Sequence, residues 1–193
     1  MSRITAKDKL IEAALALIAE QGFPSTTVDQ ICERAGVSKG SFYHYFESKE
    51  DLGLETLRVY YANGTALLMD GAFASEADPA KRADGFLTHT EALAADHWKQ
   101  GCLLATFVVD MAESHPRIRA EVVRLFDDII TGLAPMFQAL LPVSCPVTPL
   151  QVAEHYIATL EGSIVLARAY NDPERIPAAL RQFRTYLDGL KYA

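Results

Sequence analysis

The sequence predicts an all-α protein of about nine helices, because apolar residues recur at three- and four-residue spacing along nearly the whole chain. No stretch alternates apolar and polar residues between turn signals, so no sheet is expected. Capping residues, several followed directly by proline, mark where helices begin.

Helix 1 is expected over about Ala6 to Gln21, where Leu10, Ile11, Ala14, Leu15, Leu17 and Ile18 form a broad stripe that Gly22 ends. Helix 2 opens on a capping box, Thr27-Val28-Asp29-Gln30, and places Val28, Ile31, Cys32 and Ala35 on one face. After Gly36-Val37, Ser38 caps a short third helix that ends near Phe46. Ser48-Lys49-Glu50-Asp51 starts a long fourth helix running to about Gly71. Further on, Asp78-Pro79, His115-Pro116, Thr148-Pro149 and Asp172-Pro173 each read as a cap followed by proline. They imply helices near 79–97, 116–141, 149–170 and 174–191, with another from about Gly101 to Glu113.

Whole-chain properties narrow the function. Half of the 193 residues are hydrophobic, yet no apolar run approaches the ~20 residues a membrane span needs. The N-terminus is charged from the start and lacks the apolar core of a secretory signal. Cys32, Cys102 and Cys145 are far apart and odd in number, which is no disulfide framework. A cytoplasmic protein with no membrane partner is the expectation. Glycine-rich phosphate loops, nucleophile elbows and His-Glu-x-x-His zinc motifs do not occur, so neither an enzyme nor a cofactor or metal site is expected. Cys102 with His89 or His97 imitates a thiol–histidine pair only because helical spacing brings many residues near each other.

The net charge of -7 argues against indiscriminate coating of nucleic acid. Residues 1–46 are neutral, with Arg3, Lys7, Lys9, Arg34 and Lys39 set against Asp8, Glu12, Glu20, Asp29 and Glu33. A DNA reading must therefore rest on motif and geometry. The segment from Thr27 to Phe46 supplies both: two short helices joined by Ala35-Gly36-Val37-Ser38, with glycine at the sharp turn. Phe42, Tyr45 and Phe46, with Val37, are placed to anchor helix 3 on helices 1 and 2. Its other side offers Ser38, Lys39, Gly40, Ser41, Tyr43 and His44, a donor-rich face that suits a major groove. An ordinary three-helix core fragment with a solvated face satisfies the periodicity equally well.

The run Thr26-Thr27-Val28-Asp29-Gln30-Ile31-Cys32-Glu33-Arg34-Ala35-Gly36-Val37-Ser38-Lys39-Gly40-Ser41-Phe42-Tyr43-His44-Tyr45-Phe46, followed by Ser48-Lys49-Glu50-Asp51-Leu52, resembles the TetR family of bacterial repressors. The resemblance covers about residues 5–55; Cys32 stands where that family usually has a small residue. It implies a DNA-binding domain over residues 1–50 and an effector-binding and dimerisation domain over 51–193. Thr26, Thr27, Ser38, Tyr43 and His44 would then contact phosphate or sugar, and Lys39, Gly40 and Ser41 would approach base edges. Lys49, a cation in the first turn of helix 4, opposes the helix dipole, and phosphate contact would justify it. Helix 4, joining the DNA-binding helices to the pocket wall, is the plausible lever for a ligand.

One short reading helix makes few contacts, so a two-fold dimer over half-sites about 34 Å or a multiple apart is expected. Leu180, Phe183 and Leu187 follow helical spacing in the last helix, and Tyr156, Leu160 and Ile164 lie on a helix that is apolar on more than one side. These six are the dimerisation candidates, with one larger intramolecular core as the alternative. For a small-molecule effector, whose identity the sequence does not name, the candidate ligand-binding residues are Trp98, Cys102, Phe107, Met111, His89 and Tyr156. Cys102 also invites a redox or electrophile-sensing reading, since a helix start and Lys99 would lower a thiol pKa and Gly-Cys-Leu resembles one branch of the family. A small residue packed at a tight helix start, or a helical protein-interaction module without DNA binding, are the competing readings.

Overall fold

Backbone groups at helix ends need partners, and in this chain the caps supply most of them. A computed structural model describes residues 4–111 and 113–191. Among the described residues there are nine α-helices and one 3-10 turn, and no strand. The helices are α1 (Ala6–Ser25), α2 (Val28–Ala35), α3 (Lys39–Tyr45), α4 (Lys49–Met69), α5 (Pro79–His97), α6 (Leu103–Met111), α7 (Pro116–Gln138), α8 (Pro149–Tyr170) and α9 (Arg175–Leu190), with the 3-10 turn at Ala72–Ser75. Reciprocal capping boxes close at Thr27–Gln30 and Thr148–Gln151 as expected, and Asp78 accepts from the amides of Ala80 and Lys81. Ser38 accepts from the Ser41 amide at 3.1 Å, and Ser48 from the Asp51 amide at 3.1 Å.

Two boundaries differ from expectation. The Asp172 amide bonds the Ala167 carbonyl, closing α8 together with Asn171 in the left-handed region at φ 50°. Asp172 therefore ends one helix rather than capping the next, and α9 starts at Arg175 with no side-chain cap. Gly101, at φ 103°, turns the chain before α6. Cys102 consequently precedes that helix instead of lying in its first turn.

The described chain divides into two compact units. One comprises the residues up to Gly64 with Leu103–Arg124, and the other Thr65–Cys102 with the residues from Leu125 onward. Thus α4 and α7 contribute residues to both. In the first unit Leu10, Ile18, Ile31, Phe42, Leu52 and Leu57 are buried, packing α1 to α4 around one core. Ion pairs join its α4 and α7 segments: Arg58 Nε lies 2.9 Å from Glu121, and Arg117 reaches Glu50 and Asp51 at 3.1 and 2.8 Å. In the second unit Arg184 bonds Asp84 and Thr88, and Arg181 bonds Glu91, so α9 is tied to α5 along its length.

Two arginines beside Glu121, Arg124 and Arg58, hold its carboxyl down at about 2 against an ordinary 4.5. A depressed carboxylate contributes stability above its unfolded pKa and loses it as pH falls through the folded value. Because both arginines are half exposed, the contribution is about 1 kcal/mol. Glu121→Gln is expected to lower stability by that amount at pH 7. The gap between variant and wild type should close between pH 5 and pH 2 in denaturant melts; a constant gap would contradict the assignment.

Candidate nucleic-acid interface

Helix α1 breaks at Gly22, whose φ of 79° and ψ of 161° leave helical torsion space. Every carbonyl from that break to the start of α2 then finds a donor. Gly22 accepts from the Thr26 hydroxyl at 2.8 Å and Ser25 from the Gln21 amide at 3.1 Å. The Lys49 ammonium takes the remaining three, Phe23 at 3.0 Å, Pro24 at 3.4 Å and Thr26 at 2.9 Å. It also sits 4.4 Å from the centre of the Phe23 ring, and burial lowers its pKa. Phe23 in turn packs on Phe107 of α6 at 5.0 Å between ring centroids. Gly53 makes room for that pair, since a Cβ there would stand 2.7 Å from Phe23 Cε2.

This arrangement corrects two expectations. Thr26 is fully buried, with its hydroxyl closing the broken helix, so it does not face phosphate. Lys49 has all three donors on carbonyls, which answers the dipole objection differently: it caps the chain segment entering α2 rather than standing free for a phosphate.

From this base α2 and α3 cross through the turn at Gly36, in left-handed conformation at φ 65° and ψ 36°. Phe42 and Phe46 are buried and hold α3, their rings 5.8 Å apart. Tyr45 does not join them; it is exposed and lies edge-on to His44 at 4.8 Å, while Val37 is half-buried. The opposite face is open. Thr27, Ser38, Lys39, Gly40 and His44 are exposed, Ser41 is half-buried, and Tyr43 is 59% exposed with its ring braced edge-on against Phe42. Lys39 is paired with Asp29 across the two helices at 2.6 Å, and that carboxylate raises its pKa. Both partners are exposed, so the pair is weak and its cation can be transferred to a nucleic-acid acceptor. A braced aromatic hydroxyl, a cation and a glycine on one short helix have the composition and geometry of a major-groove reader.

Residues 10–56 match the family model described as bacterial regulatory proteins, tetR family. Residues 79–182 match the C-terminal domain of LmrA/YxaF-like transcriptional regulators. The chain belongs to the TetR family. As a TetR-family protein it is a DNA-binding transcriptional regulator and not an enzyme. It is 31% identical to the transcriptional regulator AcuR of Cereibacter sphaeroides, across 92% of this chain and 83% of that protein. It is 26% identical to the transcriptional repressor DhaR of Mycobacterium sp. (strain GP1), across 96% and 91%. A solved structure of regulatory protein TetR from Rhodobacter sphaeroides superposes with a TM-score of 0.79 at 29% identity, covering 92% of this chain and 96% of that one.

In this TetR-family chain the six candidate ligand residues divide between the two units. Phe107 and Met111 are buried in the first, where Phe107 packs on Phe23. In the second, Trp98 is buried with its ring 4.7 Å from that of His97, whose pKa burial lowers. His89 donates through Nε2 to the Leu67 carbonyl at 3.2 Å and leans on Phe73. Cys102 is buried beside the Glu161 carboxyl, which burial pushes up while the thiol's hydrogen bond pulls it back. Lys99 is exposed, and the group that the thiol bonds is a carboxyl rather than a cation. Tyr156 is buried among Phe86, Phe137 and Phe183.

The dimerisation candidates are corrected in the same way. Tyr156, Leu160, Ile164, Leu180, Phe183 and Leu187 are all buried within one chain, where they pack α8 and α9 together. What α8 exposes is its other stripe: Ala158, Gly162, Val165, Leu166 and Ala169, with Val165 64% and Leu166 50% exposed. Sequence periodicity alone does not say which of two apolar stripes the chain covers itself.

Salt dependence and melting temperature together separate the two lysines. Operator affinity falls with log salt at a slope of about 0.9 per phosphate contact. Lys39→Ala is expected to weaken binding at least tenfold and make the slope shallower by about one per subunit if it meets a phosphate, or leave it steep if it meets a base. Lys49→Met should weaken binding through the fold, with the slope unchanged and the melting temperature lowered. A shallower slope with an unchanged melting temperature would place Lys49 on phosphate after all.

Proposed function

We propose that this regulator is a repressor that binds a palindromic operator as a homodimer and is released by a small-molecule effector held in its C-terminal unit. The observation that carries the DNA half is the open face of α3, with Tyr43, Lys39 and Gly40 presented by a helix whose Phe42 and Phe46 are locked in the core. Thr27, Ser38, Tyr43 and His44 are assigned to the phosphate backbone, and Lys39, Gly40 and Ser41 to base edges. Repression accords with the relative DhaR, which is a transcriptional repressor.

The homodimer is proposed to form through the exposed stripe of α8. Ala158 and Gly162 have no bulky side chain, and a Cβ on Gly162 would meet nothing within 4 Å, so a partner helix can approach closely there. Val165 and Leu166 supply apolar area that water otherwise covers. An effector acts only through a difference in its affinity for two arrangements of the paired reading helices. Helix α4, with Lys49–Gly64 in one unit and Thr65–Met69 in the other, is the proposed lever. The electrophile-sensing reading of Cys102 has less support, since the thiol is buried and its neighbour is acidic.

The test uses DNA from upstream of the protein's own gene. Wild type should give a two-fold symmetric footprint and sediment as a dimer. Leu166→Glu should sediment as a monomer with its circular dichroism intact and bind the operator at least a hundredfold more weakly. A monomeric wild type with full affinity, or no footprint at any salt, would sink the proposal.

A further inference from the structure

Two hydroxyl groups in the C-terminal unit are buried with no hydrogen-bond partner beyond each other, Thr90 Oγ1 on α5 and Tyr156 Oη on α8. Thr90 is 1% exposed and Tyr156 2%. They lie within hydrogen-bonding reach of each other: a bond between them offsets part of the upward push that burial gives the Tyr156 pKa. Around them the Tyr156 ring meets Phe86 at 6.3 Å, Phe137 at 5.6 Å and Phe183 at 5.1 Å. A buried hydroxyl with no partner is destabilising, and folded proteins keep few of them. A bond between the two uses one O–H and leaves the other donor with no acceptor, so inside this aromatic wall the pair still has room for a third group that accepts.

A cleft of about 50 Å³ lies against α5 and α9, with Leu87, Leu140 and Leu187 beside the charged Asp84, Arg184, Asp188 and Lys191. Leu87 is three residues before Thr90, and Leu187 four after Phe183, so one helical turn separates the cleft lining from the hydroxyl pair.

We infer that Thr90 and Tyr156 form the docking point for the carbonyl oxygen of a small neutral ligand, a ketone, aldehyde or ester, that enters from this cleft. The inference rests on the effector-responsive reading above and names the chemical class of the effector. A carbonyl oxygen has two lone pairs and accepts both O–H donors at once. The phenylalanine rings accept an apolar body. An ionised carboxylate does not fit, because Arg184, which faces Tyr156, already bonds Asp84 and Thr88, and Lys191 of the cleft pairs with Asp188, which would leave the new charge unpaired. An ammonium ligand does not fit either, since Arg184 repels it.

The experiment compares wild type with Tyr156→Phe and Thr90→Val, each removing one hydroxyl at nearly constant shape. Melting temperature and operator binding are read without ligand. Release from the operator is then read with butanone and ethyl acetate, with pentane, butyrate and butylamine as controls. Both variants are expected to melt at or above the wild-type temperature, to bind the operator normally, and to need at least tenfold more butanone or ethyl acetate for release. Variants that melt several degrees lower would show the hydroxyls already satisfied, by a buried water or by each other, and would overturn the inference. So would an undiminished carbonyl response in both variants, or a wild type released by butyrate, butylamine or pentane in preference to the carbonyl probes. A wild type that ignores both carbonyl probes but is released by a compound of another class overturns this inference and leaves effector control standing. A wild type that no compound in a broad screen releases overturns both.

Discussion

Lys49 reaches back across more than twenty residues to the carbonyl oxygens of Phe23, Pro24 and Thr26, and the placement of α2 and α3 depends on where it holds them. The need arises from Gly22. Once α1 leaves helical geometry there, the Thr26 amide reaches back to the Phe23 carbonyl at 3.2 Å but the other carbonyls need side-chain donors, and buried backbone acceptors are costly to leave bare. Gln21, Thr26 and Lys49 between them satisfy all five carbonyls from Gly22 to Thr26. Thr27, the next residue, begins the capping box of α2. The direction in which α2 leaves is thus set by one ammonium group, with the Phe23 ring beneath it.

That ring couples the tie to the rest of the N-terminal unit. Phe23 packs on Phe107 of α6 and meets His115 edge-on at 6.3 Å, while Gly53 on α4 leaves the space for it. A shift of α4 or α6 is therefore felt at the point from which the reading helix is hung. The surface so presented carries little net charge, and its one basic side chain in the reading turn, Lys39, starts out paired with Asp29. Affinity built this way depends on geometry and on Tyr43, Lys39 and their neighbours being presented together, more than on attraction at a distance.

Local signals were legible in the sequence because they act within one helical turn. Thr27–Gln30, Ser38, Ser48, Asp78–Pro79 and Thr148–Gln151 all cap where their spacing says they should. Asp172 has the same signature and fails, because its carboxylate pairs with the Arg175 side chain at 3.4 Å instead of accepting from an amide. The donor-rich side of α3 was equally readable, apart from Tyr45, whose helical position permits either side. What sequence could not supply were long-range choices. Nothing local says that Thr26 turns inward while Thr27 stays out, that Lys49 is a cap, or that Phe107 belongs with Phe23. Likewise α8 carries two apolar stripes, and only packing against α9 decides that Tyr156, Leu160 and Ile164 are inside while Val165 and Leu166 are left uncovered. The 3-10 turn at Ala72–Ser75, which buries Phe73, had no signal strong enough to announce it.

Amide hydrogen exchange on Lys49→Met, compared with wild type, tests the central claim most directly. If the ammonium positions the reading helices, protection should fall across α2 and α3, from Val28 to Phe46, while the amides of α5, α8 and α9 exchange at wild-type rates. Unchanged protection in α2 and α3 would contradict the account, since the segment entering α2 would then be held without Lys49.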